Sequence, residues 1–245
     1  MNTTIELLQK HRSIRKFTDK PVPDATVETI VRTGLSAATS SNLQGITVIR
    51  VRKSVTREAI ATLAGGQAHV ATAGAFLVWC ADLHRSALAC EIGGGELQAG
   101  MTEHFIIATV DVALAAQNAV VAAESLGLGI CYIGGIRNDP QQVADLLRLP
   151  EQVYPVFGLC LGWPDQNPEC KPRLPLSATL KEEFYDDSLD RDAIREYDKK
   201  MNTYYLSRTR GKVDRVWSED MSRLLGKESR PHMREFLSTR GFTMR

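Results

Sequence analysis

Cysteine is scarce in this 245-residue chain, and the five present (Cys80, Cys90, Cys131, Cys160 and Cys170) form no CxxC pair. An odd, scattered set excludes a disulfide framework and a structural zinc site, and it suits a reducing, cytoplasmic setting. A surplus of one charge is also lacking, since 30 Lys and Arg stand against 29 Asp and Glu. That balance leaves no electrostatic footprint for nucleic acid. The N-terminus has no apolar run of signal-peptide type, because Lys10, His11 and Arg12 arrive early. Residues 105–123 are apolar, but Asp111, Gln117 and Asn118 interrupt them, so a core helix is expected there and no membrane span. Familiar catalytic signatures are absent. There is no P-loop and no GxSxG, and His11, His69, His84, His104 and His232 show no HExxH spacing. Gly127-Leu128-Gly129 follows a helical pattern and precedes a strand, the reverse of the dinucleotide-binding order. Ser13-Ile14-Arg15-Lys16 matches SxxK, but without SDN and KTG companions it does not support an acyl-enzyme.

What is present is an ordinary globular chain, 43% hydrophobic. A short helix over 3–10 opens at Thr3 or Thr4, and Asp24 caps a second over 25–38. Strands are expected at 46–51, 75–81, 130–133 and 153–161, and helices at 54–64 and 140–147. Residues 82–100, with Gly93-Gly94-Gly95, are weakly patterned. Residues 101–126 are apolar nearly all round, which predicts a helix buried on every side, as in the middle of a dimer. After Pro175 the composition turns charged and helical. Residues 181–245 hold too little apolar material for a core of their own, so an arm over the body or over a second subunit is expected. The fold class is α+β.

The residues left for chemistry are mostly cationic. His11, Arg12, Arg15 and Lys16 lie within six residues, and Lys171-Pro172-Arg173 lies downstream in a proline-stiffened stretch. Such clusters are either solvated basic surface or, with Ser13, Ser40 and Ser41 as hydroxyl donors, a phosphate site. Tyr132-Ile133-Gly134-Gly135 is either a simple strand-to-helix turn or a place where backbone N–H groups approach a flat ligand.

HRSIRKFTDKPV, AGGQAHV, AAQNAVVAAESLGLGICYIGGIRN, FGLCLGWP and KPRLP occur in the order and spacing of the nitroreductase superfamily, and the chain resembles its oxygen-insensitive NADPH nitroreductase and NADPH–FMN oxidoreductase group. The resemblance implies a central sheet flanked by helices. Residues 1–175 would form an FMN-binding core, and 176–245 a helical arm that packs on the partner of a homodimer and contributes to the NADPH site. It implies tightly bound, non-covalent FMN held by His11, Arg12, Ser13 and Arg15, with Arg15 near the N1–C2=O edge. Ser40, Ser41 and Leu43 would reach the flavin from the partner subunit. Gln67 would hydrogen-bond the ring, Tyr132, Ile133, Gly134 and Gly135 would cover one face, and Lys171 and Arg173 would complete the phosphate site. Arg208 would grip the NADPH 2′-phosphate with Arg210, Lys212 and Arg215 around it, and Arg230 would lie near the substrate mouth. The activity implied is two-electron, ping-pong hydride transfer from NADPH to nitroaromatics or quinones, with no side-chain acid or base and no metal. Two other functions stay open: a flavin reductase supplying reduced FMN, and a non-catalytic flavin-binding regulatory or storage protein.

Overall fold

The computed structural model describes residues 2–245 and divides into two compact units, residues 2–167 with 232–245, and residues 168–231.

The first unit begins with α1 (Thr3–Gln9), whose cap is Asn2 rather than Thr3 or Thr4: Asn2 Oδ1 accepts from the Ile5 amide at 3.0 Å. Next comes α2 (Asp24–Gly34). Asp24 lies inside this helix and caps nothing; its carboxylate is taken by Arg50 and Arg52, each at 2.8 Å. A 3-10 turn (Ser40–Asn42), β1 (Ile46–Arg50), α3 (Ser54–Leu63), α4 (Ala68–Thr72) and β2 (Ala75–Asp82) follow. The weakly patterned stretch holds α5 (His84–Ile92), which has no buried residue and therefore left no periodic signal. The long α6 (Thr102–Ser125) leads to β3 (Gly129–Ile133), a 3-10 turn (Gly134–Asn138), α7 (Pro140–Leu146) and β4 (Val153–Gly162).

The sheet is antiparallel throughout, in the order β1-β2-β4-β3. Every residue of the inner strand β2 is buried, which is why AFLVWCAD reads as an apolar run without alternation. Pro155 sits in the other inner strand, where a missing N–H would break the ladder. The register shifts beside it, between Trp79 and Cys80, and the bulge absorbs the gap.

Helix α6 packs on the sheet and on α2 through Ala108, Val112, Ala115, Ala116, Ala119 and Ala123, all fully buried. Its small side chains let α2 come close: a Cβ on Gly34 would lie 2.8 Å from the Ala115 carbonyl oxygen. The helix is not buried on every side, however. Ile106, Val110 and Leu114, four residues apart, are 47%, 49% and 46% exposed and form one apolar ridge. By length and composition α6 could also cross a membrane, but its opposite face is part of the core.

The chain's last residues belong to this unit. After α11 (Met233–Thr239), Phe242 packs edge-on against Tyr154 with ring centres 5.0 Å apart, and Phe236 and Leu237 are buried in the same core.

The second unit contains α8 (Leu176–Thr179), α9 (Asp190–Thr209) and α10 (Trp217–Leu225). It does have a core, contrary to the expectation from composition. Tyr197, Met201, Tyr204 and Tyr205 of α9 are buried together with Leu174, Val213 and Trp217 against them. Asp198 caps α10 from a distance, accepting from the amide and hydroxyl of Ser218 at 2.8 and 2.6 Å. Because this core is built from tyrosines on a charged helix, counting aliphatic residues did not reveal it.

Candidate active site

The His11–Arg15 segment runs beside β3. Ser13 bridges Ile130 in parallel, and the Ile14 amide donates to the Ile130 carbonyl at 2.8 Å. The cationic cluster is thus fixed to the strand that ends in Tyr132-Ile133-Gly134-Gly135. The His11 Nδ1 lies 2.7 Å from a carboxylate oxygen of Glu124, at the end of α6. A carboxylate only accepts, so Nδ1 carries the proton and the other ring nitrogen remains for a ligand. Arg12 is engaged within the protein, donating to the Lys10 carbonyl at 3.1 Å and to Asn167 Oδ1 at 2.7 Å. Together with Glu124 and Asp165, Lys10 and Arg12 line a cavity of about 630 Å³. Arg15 is exposed.

At the far end of β3, Gly135 and Gln67 touch. A Cβ on Gly135 would lie 2.4 Å from the Ala64 carbonyl oxygen and 2.5 Å from Gln67 Nε2, so only glycine fits. Gln67 Nε2 donates to that same carbonyl at 2.8 Å, leaving its amide oxygen as an acceptor. Two residues on, His69 has a buried Nε2 without a hydrogen-bond partner among the described residues. Burial, and then the charge of Arg15, hold its imidazole below the ordinary histidine range, so it is neutral at pH 7. Tyr132 stacks edge-on with Phe157, ring centres 4.9 Å apart, and burial followed by Glu124's charge raises its phenol.

Ser40, Ser41 and Leu43 lie elsewhere in the chain. Their loop is tied to Asp111, thirteen residues before Glu124, or about 20 Å along α6 at 1.5 Å per residue. One chain therefore does not bring this loop to His11. The loop is also strained. Ser41, Asn42 and Gln44 have φ of 48°, 58° and 54°, a left-handed conformation that costs roughly 1–2 kcal/mol per non-glycine residue.

In the second unit the cations gather on a pair of tyrosines whose ring centres are 5.6 Å apart. Lys171 Nζ lies 5.5 Å from the Tyr205 ring, and the Arg215 guanidinium 4.8 Å from it. Arg173 donates to the Lys171 carbonyl at 2.8 Å. Arg208 donates to the Tyr204 hydroxyl at 3.1 Å and lies over that ring at 5.9 Å. Lys171, from the downstream cationic segment, and Arg208, which the resemblance assigned to the 2′-phosphate, thus share one aromatic platform. Arg215 is also 3.4 Å from Asp220, and its buried Nε has no hydrogen-bond partner among the described residues. Arg210 ends α9 in the left-handed region and Lys212 is exposed on the turn beyond it. Arg230 is left-handed as well, with φ 54°.

The donor set fits a flavin mononucleotide. Hydroxyl, ammonium and guanidinium donors suit a phosphate, and the orphaned His69 nitrogen and the Gln67 amide match a ring edge with both donors and acceptors. Sequence reasoning missed Glu124, His69 and Asp111. The signal for two of them was visible, since Asp111 and Glu124 are the only acids in α6 after Glu103.

The model of the nitroreductase family matches residues 8–163, and that of the nitroreductase family C-terminal domain matches residues 171–245. An oxygen-insensitive NADPH nitroreductase of Salmonella typhimurium and an NADPH-flavin oxidoreductase of Vibrio harveyi are each 46% identical over 245 residues, all of both chains. A solved structure, the NADPH:FMN oxidoreductase of Vibrio harveyi complexed with NAD+, superimposes with a TM-score of 0.90 at 44% identity, covering 98% of each chain. On these matches, which span both units from end to end, the chain belongs to the nitroreductase family.

Proposed function

We propose that the protein is an FMN-dependent NADPH oxidoreductase that passes two electrons from NADPH to flat acceptors such as nitroaromatics and quinones, as a homodimer in the cytoplasm. The observation that carries this reading is the fixing of the His11–Arg15 donors to β3, the strand that ends at the glycine pair beside Gln67. The names of the two full-length relatives, a nitroreductase and a flavin oxidoreductase, agree with it.

Bound FMN supplies a ring that accepts a hydride and passes both electrons on, one substrate after the other. The chain's own part is binding and electrostatics. Among the proposed flavin ligands, His11 is oriented by Glu124, Ser13 adds a hydroxyl for the phosphate, and Lys171 and Arg173 add charge. Arg12, whose guanidinium holds Lys10 and Asn167, supports the segment more than it reaches a ligand. Arg15 brings positive charge to the ring edge where reduction deposits electrons. Gln67 hydrogen-bonds the ring, and Tyr132 to Gly135 cover a face and offer backbone N–H groups. Ser40, Ser41 and Leu43 act on the flavin of the partner subunit, which agrees with their distance from His11 in one chain. The exposed ridge of Ile106, Val110 and Leu114 supplies an apolar interface beside that loop. Residues 1–175 carry the flavin, and of 176–245 it is the stretch before His232 that packs on the partner, because Phe236, Leu237 and Phe242 are buried in the first unit's own core. Arg208 grips the 2′-phosphate of NADPH, Lys212 adds charge nearby, and Arg230 lies at the substrate mouth.

Stopped-flow reduction of the purified yellow protein tests this reading. Fast bleaching by NADPH and slow bleaching by NADH supports it; no bleaching by either overturns it. A second function, a flavin reductase that releases reduced FMN, is favoured by the name of the Vibrio harveyi relative. Steady-state preference for free FMN over a nitroaromatic would select it.

A further inference from the structure

Asp111 is a carboxylate in the middle of the most apolar helix of the chain, 1% exposed, and among the described residues no cation lies within ion-pair distance of it. A buried, uncompensated charge is costly and persists only where it has specific partners. Its partners are two backbone amides. Oδ1 accepts from Ser40 N at 3.1 Å, and Oδ2 accepts from Gly45 N, more loosely, at 3.5 Å. One carboxylate therefore holds both ends of the 40–45 span that contains Ser41, Asn42 and Gln44, all left-handed. Around it Ala108 and Leu43 close on Gly45, where a Cβ would lie 2.9 Å from Leu43 Cδ2 and 3.3 Å from Ala108 Cβ. The Gly45 carbonyl accepts from Asp82 N at 3.0 Å, which anchors the loop to β2.

We infer that Asp111 is a positioning residue that clamps the 40–45 loop by its two ends and so holds in place the strained turn from which Ser40, Ser41 and Leu43 meet the flavin. This rests on the reading that the loop meets the flavin. The carboxylate is suited to the task because it alone accepts with both oxygens and offers no donor. An amide in its place would satisfy one N–H and set its own donor against the other.

The test uses the full-length protein and three variants: Asp111→Asn, Gln44→Gly and the two combined. Two measurements are made, native-state hydrogen exchange on apoprotein and FMN affinity by quenching of flavin fluorescence. In Asp111→Asn the amides of residues 40–45 are expected to exchange about tenfold faster or more, while β2 and β4 keep their protection, and FMN affinity is expected to fall by about tenfold or more. Gln44→Gly removes one left-handed penalty at a position outside the binding set. In the double variant it should recover part of the FMN affinity, which a merely structural loss in the core would not permit. Unchanged loop exchange in Asp111→Asn, or an equal loss of protection across the sheet, overturns the clamp. So does a double variant no better than Asp111→Asn. If the parent protein does not bind FMN, the functional reading fails, and loop exchange alone still decides the clamp. If Asp111→Asn does not fold, exchange in the parent decides it: Ser40 and Gly45 amides should be slower than that of Gln44, and equal rates overturn it.

Discussion

The core of the first unit is aliphatic and centred on a sheet, with Phe76, Trp79, Ile130, Ile133 and Leu159 all fully buried. That of residues 168–231 is a patch of tyrosines and one methionine on a charged helix. The two kinds of core hold ligands in different ways. The first core buries few polar side chains, Asp82 and Asp111 among them, so most of what it offers is a rigid backbone: the Ser13–Ile130 bridge and the glycine pair after β3. A tyrosine core keeps hydroxyls and ring faces at its edge, and cations settle there, as Lys171, Arg208 and Arg215 do. The first region should therefore respond to substitution through stability and ring placement, and the second through affinity for phosphate.

The largest effect should come from charge. Lys171→Ala with Arg173→Ala removes two charge-assisted contacts of roughly 1.5–3 kcal/mol each, which together weaken FMN binding by about 10² to 10⁴-fold. Flavin should be lost on dilution, read as free-flavin fluorescence, while the unfolding midpoint of the apoprotein stays close to the parent's. A double variant that purifies as yellow as the parent removes the second region from the phosphate site.

Phe242→Ala should act in the opposite way. The ring is buried against Tyr154 and Phe105, and truncating a core phenylalanine costs about 3–5 kcal/mol. Urea unfolding followed by far-ultraviolet circular dichroism should shift to lower denaturant. An unchanged midpoint would show that residues 232–245 only cover the first unit and add little to its core.

Arg208→Ala tests whether the second region discriminates between nucleotides. NADPH differs from NADH by the 2′-phosphate, and losing an arginine–phosphate contact of roughly 1.5–3 kcal/mol weakens NADPH by about 10- to 150-fold. The change should appear in KM with kcat similar, because the contact is equal in ground and transition states, and NADH kinetics should barely move. Equal slowing with both nucleotides would make Arg208 structural and pass the assignment to Arg210, Lys212 or Arg215.

The sequence was most legible where residues repeat a local rule. All four strands were expected within two residues of their ends, because apolar runs such as AFLVWCA and VYPVFGLCL have one physical reading. The His11–Arg15 and Tyr132–Gly135 segments could be singled out because clustered donors and paired glycines are unusual. Long-range pairings were hidden. Nothing local says that Glu124 meets His11 across 113 residues, that Asp111 meets residues 40–45, or that Tyr205 carries Lys171 from 34 positions away. Asp24 misled because a helix-start acid is ordinarily a cap, and here two arginines from β1 and the segment after it outcompete the backbone.

Tyr204→Phe carries the smallest expected effect and the sharpest view of the aromatic platform. The Arg208 guanidinium donates to the Tyr204 hydroxyl at 3.1 Å and lies 5.9 Å from the ring centre. Phenylalanine keeps the ring and removes only the hydroxyl, so the guanidinium loses an anchor but not its seat. A hydrogen bond of this kind contributes about 0.5–1.5 kcal/mol net, which corresponds to roughly a 2- to 10-fold rise in KM for NADPH and none for NADH. The ring also packs in the tyrosine core, where a loss of stability would show as a lower unfolding midpoint. The substitution preserves that packing, so the midpoint should hold. A rise in KM confined to NADPH, smaller than that of Arg208→Ala and absent when Arg208→Ala is already present, would show that the hydroxyl acts through Arg208. An additive effect in the double variant would mean that Tyr204 touches the nucleotide itself.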